Sequence, residues 1–347
     1  MKQACEEIER REDPLADRSL PTRRALLRSA GALALGAAGA ASLARSAAAA
    51  YPDRPVRIIV PFAAGGPSDL TARLMGVKLG EALGQTFVVE NRPGAGTNLG
   101  TAAAARAAPD GYTLLVTSSA FVVNPSLYRQ VPYDPAKDFA PITELDTSPN
   151  VFIATLASGI TSMQGLIARA RAKPDELSYA SAGVGTTPHL AGELLKITAG
   201  IKVTHVPFQG AGPAMQSILG GVVPLMCASL PGAHPSILEK SVRALAVTGT
   251  ERWFDMPDVP TMLELGFAGF VSDTFHSMLA PAGTPPEIVD RLATTSLNIL
   301  KQPEFHERLR TLGFEVIAKG PEALRRRIAE EVPRYRDLIA KAGIERV

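Results

Sequence analysis

The chain has few cysteines, almost no excess of charge of either sign and no apolar run long enough to span a membrane. Only Cys227 of its two cysteines lies beyond residue 50, so the later part of the chain can form no intramolecular disulfide and depends on a hydrophobic core. Because Cys227 lies in an apolar run, we expect it to be a small buried residue. The formal net charge of +2 provides no basic surface for nucleic acid, and no nucleic-acid partner is expected.

Catalytic and metal-binding motifs are also missing. The sequence contains no GxSxG elbow, P-loop, HExxH or CxxC, and its histidines do not stand at metal-ligand spacings from one another. We expect His205 to pack in or beside a strand and His306 to be solvated, whereas His189 lies in a glycine-rich loop and is a candidate to line a site. The sequence thus predicts a protein that is not an enzyme and has no metal or cofactor.

The first fifty residues have the composition of an export signal. Arg23 and Arg24 precede an Ala/Leu/Gly run at residues 29–43, and small residues follow up to Ala50. This pattern predicts a signal peptide of the twin-arginine type, residues 1–50, cleaved after Ala50, and therefore a periplasmic protein. An uncleaved anchor is the alternative, but the run is shorter than the ~20 residues that cross a bilayer. We expect the mature protein to be monomeric and, with equal numbers of basic and acidic side chains, formally neutral.

Apolar runs of strand length alternate with helical patterns through the rest of the chain, which is typical of an α/β fold. Two stretches, residues 124–149 and 256–286, show no sustained period and are expected to be irregular. They flank a block of strand and helix alternation, and the chain is longer than one core usually supports. We therefore predict two domains, the first formed by residues 51–150 plus 275–347 and the second by residues 151–274.

The turn that follows the first predicted strand has the features of an anion-binding site. In RIIVPFAAGGPSDLTAR, residues 57–73, Gly65 and Gly66 let a ligand approach the backbone, and Pro67 suits the start of a helix. Such a turn directs backbone N–H groups and the positive end of a helix dipole at one point. We expect Ser68 or Asp69 to be the N-cap, and Asp69 either caps or contacts a cationic part of a ligand.

A similar turn recurs at residues 178–189, SYASAGVGTTPH. Thr187 is the expected N-cap, with Pro188 at the first helical position. Residues 208–213 form a weaker third instance, and residues 117–119 offer hydroxyls after another strand. Because ligands in open α/β sheets bind at the carboxyl ends of strands, we expect the first two turns to face each other across a cleft.

A third glycine pattern, GxGxxxG, begins at Gly94. It is similar to a dinucleotide-binding fingerprint, but Arg92 and Pro93 separate the preceding strand from the glycines. We therefore expect these glycines to pack a helix against the sheet.

Ten short motifs carry a family resemblance that covers nearly all of the chain after residue 50. In order they are IIVPFAAGG followed by Asp69, ENRPGAG, PDGYTL, NPSLY, PYDPAKDFAPI, LSYASAGVG, VPFQGAGPA, RALAVT, PDVPT and APAGTP. These stretches resemble the Bug receptors, the periplasmic solute-binding proteins of tripartite tricarboxylate transporters.

The resemblance implies a two-domain α/β periplasmic-binding-protein fold of the Venus-flytrap type, each domain a mixed sheet flanked by helices. It further implies a small carboxylate held by the two turns, partly through waters. The candidate ligand-binding residues are Phe62, Ala64, Gly66, Ser68, Asp69, Ser118, Ser181, Thr186, Thr187, His189, Phe208 and Gly210.

The chain departs from the common family pattern at three places. Thr97 follows Gly96 where a second glycine is usual, and the usual aromatic before APAGTP lies within Thr274-Phe275-His276-Ser277. Phe208-Gln209 stands where tyrosine-lysine is frequent. Because the tyrosine hydroxyl and the lysine charge are both missing, we expect the site to favour a less polar or aromatic carboxylate.

The predicted function is a periplasmic receptor that captures a small organic carboxylate in an interdomain cleft and delivers it to the permease subunits of a tripartite tricarboxylate transporter. Two alternatives stay open. The first is a ligand-sensing receptor that serves a membrane sensor without transport. The second is a secreted α/β enzyme that acts on a carboxylate with Asp69 or His189 as its base.

Overall fold

Strands and helices alternate along residues 51–347, the part of the chain that this computed structural model describes. The strands are β1 (Val56–Val60), β2 (Phe87–Asn91), β3 (Thr113–Ser118), β4 (Phe139–Thr155), β5 (Ser178–Ser181), β6 (Thr204–Pro207), β7 (Leu225–Ser229), β8 (Val242–Val247), β9 (Asp273–Pro281) and β10 (Glu315–Lys319). The helices are α1 (Pro67–Leu83), α2 (Asn98–Ala105), α3 (Ala120–Leu127), α4 (Met163–Ala172), α5 (Thr187–Ala199), α6 (Ala211–Leu219), α7 (Leu230–Leu238), α8 (Pro286–Leu300), α9 (Pro303–Thr311) and α10 (Pro321–Lys341). Short 3₁₀ helices cover Ala95–Thr97 and Leu156–Ser158.

The expected signal peptide, residues 1–50, lies outside the described residues. Within residues 51–347, no helix combines the length and the apolar character that crossing a membrane requires.

The first part of the sheet is built on the parallel strands β2, β1 and β3. The sequence of β1, VRIIV, is an apolar run in which four of five residues are buried, as expected for a parallel strand covered on both faces. Strand β3 then pairs antiparallel with β9, and Ser118 at its end lies opposite His276. This register places the end of β3 beside the start of β9.

Strand β4 connects the two parts of the sheet. Its residues 139–149 pair antiparallel with β9, and residues 144–147 pair on the other side with β10. From residue 150 onward the partners change to β7 and β8, both antiparallel. Strands β7, β5 and β6 continue the second part in parallel. The 17 residues of β4 therefore belong to both parts.

The expectation that residues 124–149 and 256–286 are irregular is wrong for much of both stretches. Residue 124 lies in α3, residues 139–149 form the first part of β4, and β9 occupies Asp273–Pro281. The alternation that would reveal β4 is hidden because its polar side chains are buried and because the register shifts between residues 141 and 143 and again between 144 and 146. A strand with bulges and buried polar groups gives no period-2 signal.

Apolar side chains fill the space between the sheet and the helices. One cluster includes Leu115 and Phe121 under α3 and α10. A second includes Phe152, Tyr179 and Cys227 in the later part of the sheet. Cys227 is completely buried, which confirms its expected role as a small core residue.

Candidate functional site

A small cavity lies where the loops after β1 and β5 meet the ends of β3 and β7 and the start of β9. Its volume is about 30 Å³, and six of the residues that the sequence predicted line it: Phe62, Gly66, Ser68, Ser118, Thr186 and Thr187. Sequence reasoning missed the other lining residues: Pro67, Ala182, Pro188, Ala211, Ser229, Thr274 and His276. The two predicted anion-binding turns thus share one cavity.

Four helices begin at this cavity. Pro67 is the first residue of α1, Thr187 of α5 and Ala211 of α6, and Ser229 is the N-cap of α7. Each N-terminus presents backbone N–H groups without intrahelical partners and a partial positive charge. No lysine or arginine is among the residues that line the cavity within the described range. Helix ends and hydroxyl groups therefore supply most of the polarity of the cavity.

The turn between β1 and α1 depends on its glycines. Gly65 has φ +84°, a left-handed conformation that favours glycine. Gly66 is the N-cap of α1, and no side chain caps the helix. The prediction that Ser68 or Asp69 is the N-cap is therefore wrong, because the helix begins at Pro67 and both residues lie inside its first turn.

The carboxylate of Asp69 instead ties the turn together. It accepts hydrogen bonds from the Gly65 N–H at 3.0 Å, from Asn91 Nδ2 at 2.9 Å and from two nitrogens of Arg73 at 2.9 and 3.0 Å. Burial raises the pKa of Asp69, but these hydrogen bonds and the charge of Arg73 outweigh it and hold the pKa below its ordinary value. Asp69 is thus ionised and fully engaged within the protein, and it does not line the cavity.

The turn between β5 and α5 is closed by hydroxyl groups. Thr186 is the N-cap, one residue before the predicted Thr187. Its Oγ1 donates to the Gly183 carbonyl at 2.7 Å and accepts from the His189 N–H at 3.5 Å. Gly183 and Gly185 have φ +133° and +87°, so the turn uses conformations that favour glycine.

A buried hydrogen-bond network joins the start of α5 to β4 and β9. Thr187 Oγ1 is hydrogen-bonded to Thr274 Oγ1, and both hydroxyls lie within hydrogen-bond reach of Asn150 Oδ1, at 3.5 and 3.0 Å. Thr187 and Thr274 also line the cavity. The cavity wall is therefore assembled from segments that are distant in sequence.

The loops around the cavity touch each other directly. The Ala63 N–H donates to the Gln209 carbonyl at 2.9 Å, and a Cβ on Gly185 would lie 1.9 Å from Asn124 Oδ1. Asn124 Nδ2 in turn donates to the Gly96 carbonyl at 2.6 Å. These contacts join the loops that border the cavity to one another.

His276 is the one ionisable side chain in the cavity lining of the described residues. It is 1% exposed, and its Nδ1 lies 2.6 Å from Oδ1 of Asp146, which is fully buried. Asp146 Oδ2 accepts from Thr71 Oγ1 at 3.0 Å. Sequence patterns indicated His276 as a site residue only weakly. It lies in a stretch without a regular hydrophobic period, and its carboxylate partner is 130 residues away.

His189 does not reach the cavity. Its ring packs on the ring of His205, with centroids 4.4 Å apart, and His205 Nε2 lies 2.7 Å from Ser181 Oγ. Burial lowers the pKa of His189 to about 4 and that of His205 to about 3, so both are neutral at pH 7. His205 lies in β6, as expected, and Ser181 contacts it from β5.

Among residues 51–347, one group of side chains has donor atoms close enough for a metal ion. The donors of His189, Glu193 and His205 all lie within 4.8 Å of one another. Glu193, however, already accepts from Tyr179 OH and Lys196 Nζ, both at 2.8 Å. The group is therefore a hydrogen-bonded cluster in which an ammonium neutralises the only carboxylate.

The remaining predicted residues surround the cavity without lining it. Ala64 is exposed on the β1–α1 turn, and Gly210, with φ +144°, is the N-cap of α6. Phe208 lines a neighbouring cavity of about 250 Å³ that shares Phe62 and Ala182 with the first. No charged side chain is among the residues that line this neighbouring cavity in the described chain.

The glycine pattern that begins at Gly94 serves packing. A Cβ on Gly100 would lie 2.5 Å from the Arg92 carbonyl and 2.8 Å from Pro61. Only a glycine allows α2 to approach the end of β1 so closely, which confirms the packing interpretation for Gly100. His306 is exposed on α9, also as expected.

Comparison with known proteins gives relatives along nearly the whole described chain. The chain is 35% identical over 295 residues to the Bordetella pertussis protein BugT, which covers 84% of this chain and 90% of BugT. It is similar to the solved structure of the periplasmic binding protein BugD, with a TM-score of 0.83, 40% identity and coverage of 85% of this chain and 99% of BugD. It is also similar to an R. palustris protein solved with adipate, with a TM-score of 0.82, 35% identity and coverage of 85% and 99%.

These likenesses show the fold: a mixed α/β fold of the periplasmic binding proteins. The model of the TctC family, described as the tripartite tricarboxylate transporter family receptor, matches residues 71–344. This range contains the turn after β5 and the strands around it, whereas β1 and the turn after it precede residue 71. The chain therefore belongs to the TctC, or Bug, family of tripartite tricarboxylate transporter receptors.

Proposed function

We propose that the protein captures a small organic carboxylate in the cavity described above and presents it to the permease subunits of a tripartite tricarboxylate transporter in the periplasm. The observation that carries this proposal is the meeting of four helix N-termini at one cavity, to whose lining residues 51–347 contribute no lysine or arginine. Oriented N–H groups stabilise an anion through their partial positive charges. A relative solved with adipate supports the ligand class.

Binding is proposed to involve separation of two lobes, residues 51–150 plus 275–347 and residues 151–274. A cavity of about 30 Å³ has room for one or two waters, and adipate is far larger. Support for the lobes comes from β4, whose partners change between residues 149 and 150. We propose that the contact between Ala63 and Gln209 breaks when the lobes open and re-forms over the ligand.

We propose direct ligand contact for only some of the twelve residues predicted from the sequence. Six of them line the cavity and are proposed to contact the ligand directly. Asp69, Ser181 and His189 are proposed to hold the loops in place, because their polar atoms are engaged with protein partners. Phe208 is proposed to contact a less polar tail that extends into the neighbouring cavity.

Thermal unfolding with a panel of carboxylates tests the proposal. Acetate, benzoate, adipate and malate are added separately to the mature protein. A ligand that binds only the folded state at 100 times its Kd adds about 2.7 kcal/mol, so the melting temperature rises by a few degrees. Failure of all four to raise it, together with no heat in calorimetry, would contradict the proposal.

Uptake measurements distinguish a transport receptor from a receptor that serves only a membrane sensor. Deletion of the receptor abolishes uptake of the carboxylate that it binds if it serves transport, and leaves uptake unchanged if it serves only sensing. The alternative of an enzyme receives no support from the site. His189 is buried outside the cavity, and Asp69 is held in ion pairs with Arg73.

A further inference from the structure

Residues 51–347 contribute to the cavity lining a single side chain that can carry a positive charge. Of the residues that line it within the described chain, only His276 is ionisable. The others are apolar, hydroxyl-bearing or glycine. Any full positive charge placed directly against a bound carboxylate must therefore come from this imidazole.

His276 is held in one orientation. Its Nδ1 lies 2.6 Å from Asp146 Oδ1, and since a carboxylate can only accept, the proton of this hydrogen bond lies on Nδ1. The ring packs edge-on against Phe314, with centroids 5.8 Å apart. Since Nδ1 is engaged by the buried Asp146 and His276 borders the cavity, Nε2 is the ring nitrogen that remains for a ligand.

The protonation of Nε2 decides what the cavity accepts. A neutral ring with its proton on Nδ1 presents a lone pair at Nε2, which repels a carboxylate. A protonated ring donates from Nε2 to the carboxylate while Nδ1 still donates to Asp146. In that state the ring lies between two carboxylates, Asp146 and the ligand, and donates a hydrogen bond to each.

We propose that His276 is a ligand-binding residue that donates from Nε2 to the bound carboxylate, and that the cavity takes up a proton on this histidine together with its anion. Asp146 acts through His276 as a positioning residue, and Thr71 holds Asp146. This inference rests on the proposed function, since it assumes that a carboxylate occupies the cavity.

Other titratable groups surround β9 and must be separated from His276. Those on elements that contact β9 or its partner strands include Asp69 on α1, Glu144 and Asp146 on β4, His189, Glu193 and Lys196 on α5, Asp273 on β9, Lys319 on β10, and Arg327, Glu331 and Arg334 on α10. The two neighbouring histidines, His189 and His205, have pKa values of about 4 and 3. Neither of them changes its charge between about pH 6 and about pH 9.

The first experiment uses the unaltered mature protein. Acetate, benzoate and adipate are titrated calorimetrically in phosphate and in Tris, two buffers with different heats of ionisation. We expect the affinity to fall by about tenfold or more between about pH 6 and about pH 9, with uptake of up to about one proton per ligand. Binding with a constant affinity and with no buffer dependence of the heat would overturn this inference and leave the proposed function intact. If none of the three carboxylates binds, both this inference and the proposed function are wrong.

The second experiment uses variants with a matched control. His276→Gln removes the charge, and we expect a loss of affinity of about tenfold to a hundredfold at about pH 6 and a flat pH profile. The control is His234→Gln, since His234 is equally buried and pairs with Asp255 at 3.0 Å but does not line the cavity. We expect Asp146→Asn to flatten the pH profile as well, which a purely structural role would not do.

Circular dichroism establishes that each variant is folded, and an unchanged pH profile in His276→Gln would overturn the inference.

Discussion

Thr187 belongs to a buried hydrogen-bond network and also lies at the proposed ligand site. Its hydroxyl joins Thr274 and Asn150 in a buried network and also borders the cavity. Thr187→Val keeps the shape of the side chain but leaves polar partners unpaired. We expect the variant to bind adipate, or whichever carboxylate of the panel binds, more weakly by about 1–3 kcal/mol, measured by calorimetry.

Thr187→Ser is the control for this prediction. Serine keeps the hydroxyl and removes only a methyl group, so we expect most of the affinity to return. If Thr187→Val bound as tightly as the unaltered protein, the hydroxyl would have no role in the site.

Gly185 shows how closely the loops around the cavity approach each other. Its φ is +87°, and an added Cβ would lie 1.9 Å from Asn124 Oδ1. Asn124 cannot move away freely, because its Nδ2 donates to the Gly96 carbonyl and to Asn98 Oδ1. We expect Gly185→Ala to lower the free energy of unfolding by more than about 2 kcal/mol, measured by urea denaturation.

The variant Gly84→Ala distinguishes the cost of backbone strain from the cost of a steric clash. Gly84 has a similar φ of +74° but nothing within 4 Å of an added Cβ, so its substitution costs only the backbone strain of about 1–2 kcal/mol. Equal losses in the two variants would show that the contact with Asn124 does not matter.

At the scale of elements, the start of α1 is fixed by a carboxylate that does not cap the helix. Asp69 holds Gly65, Asn91 and Arg73, and its pKa lies below the ordinary value. A lowered pKa stabilises the folded state above the ordinary pKa, and this stabilisation disappears as the pH falls through the folded-state value. We expect Asp69→Asn to cost about 1–3 kcal/mol at about pH 7, and the difference to shrink below pH 3.8.

Urea denaturation at several pH values measures this difference. Asp290→Asn on α8 is the control, since Asp290 is exposed, and we expect it to change stability little at any pH. A difference between Asp69→Asn and the unaltered protein that stayed constant down to about pH 3 would contradict an ionised role for Asp69.

The element that sequence patterns describe least well is β4. Sequence analysis predicted β1, β3, the helix α1 and the two glycine turns, because each has a local signal: an apolar run, a helical period or glycine before proline. Strand β4 buries Glu144, Asp146 and Asn150 and contains register shifts. Its polar residues are tolerated only because partners such as Arg327, His276 and Ser272 come from other parts of the chain.

At the scale of the whole molecule, the reactivity of the Cys227 thiol measures global unfolding. The thiol is fully buried in the second part of the sheet, and burial raises its pKa well above the ordinary value. We expect the thiol to react with a thiol reagent only when the fold opens, so labelling is slow in buffer and fast in urea.

A Cys5→Ser variant leaves Cys227 as the single thiol of the chain and makes the labelling rate unambiguous. A carboxylate that binds the closed arrangement slows the labelling further, because it stabilises the folded state by mass action. Fast labelling of the folded protein in buffer would contradict the burial of this residue.

The sequence by itself determined the alternating α/β architecture and the two glycine turns that precede α1 and α5, because these features depend on neighbouring residues and on the backbone angles that glycine and proline allow. Tertiary structure decided which side chains reach the cavity. It removed Asp69 and His189 from the lining and brought in Thr274 and His276. The physical reason is that the pairing of β9 with β3 and β4 sets these positions, and this pairing joins residues more than a hundred positions apart, beyond the reach of any local pattern.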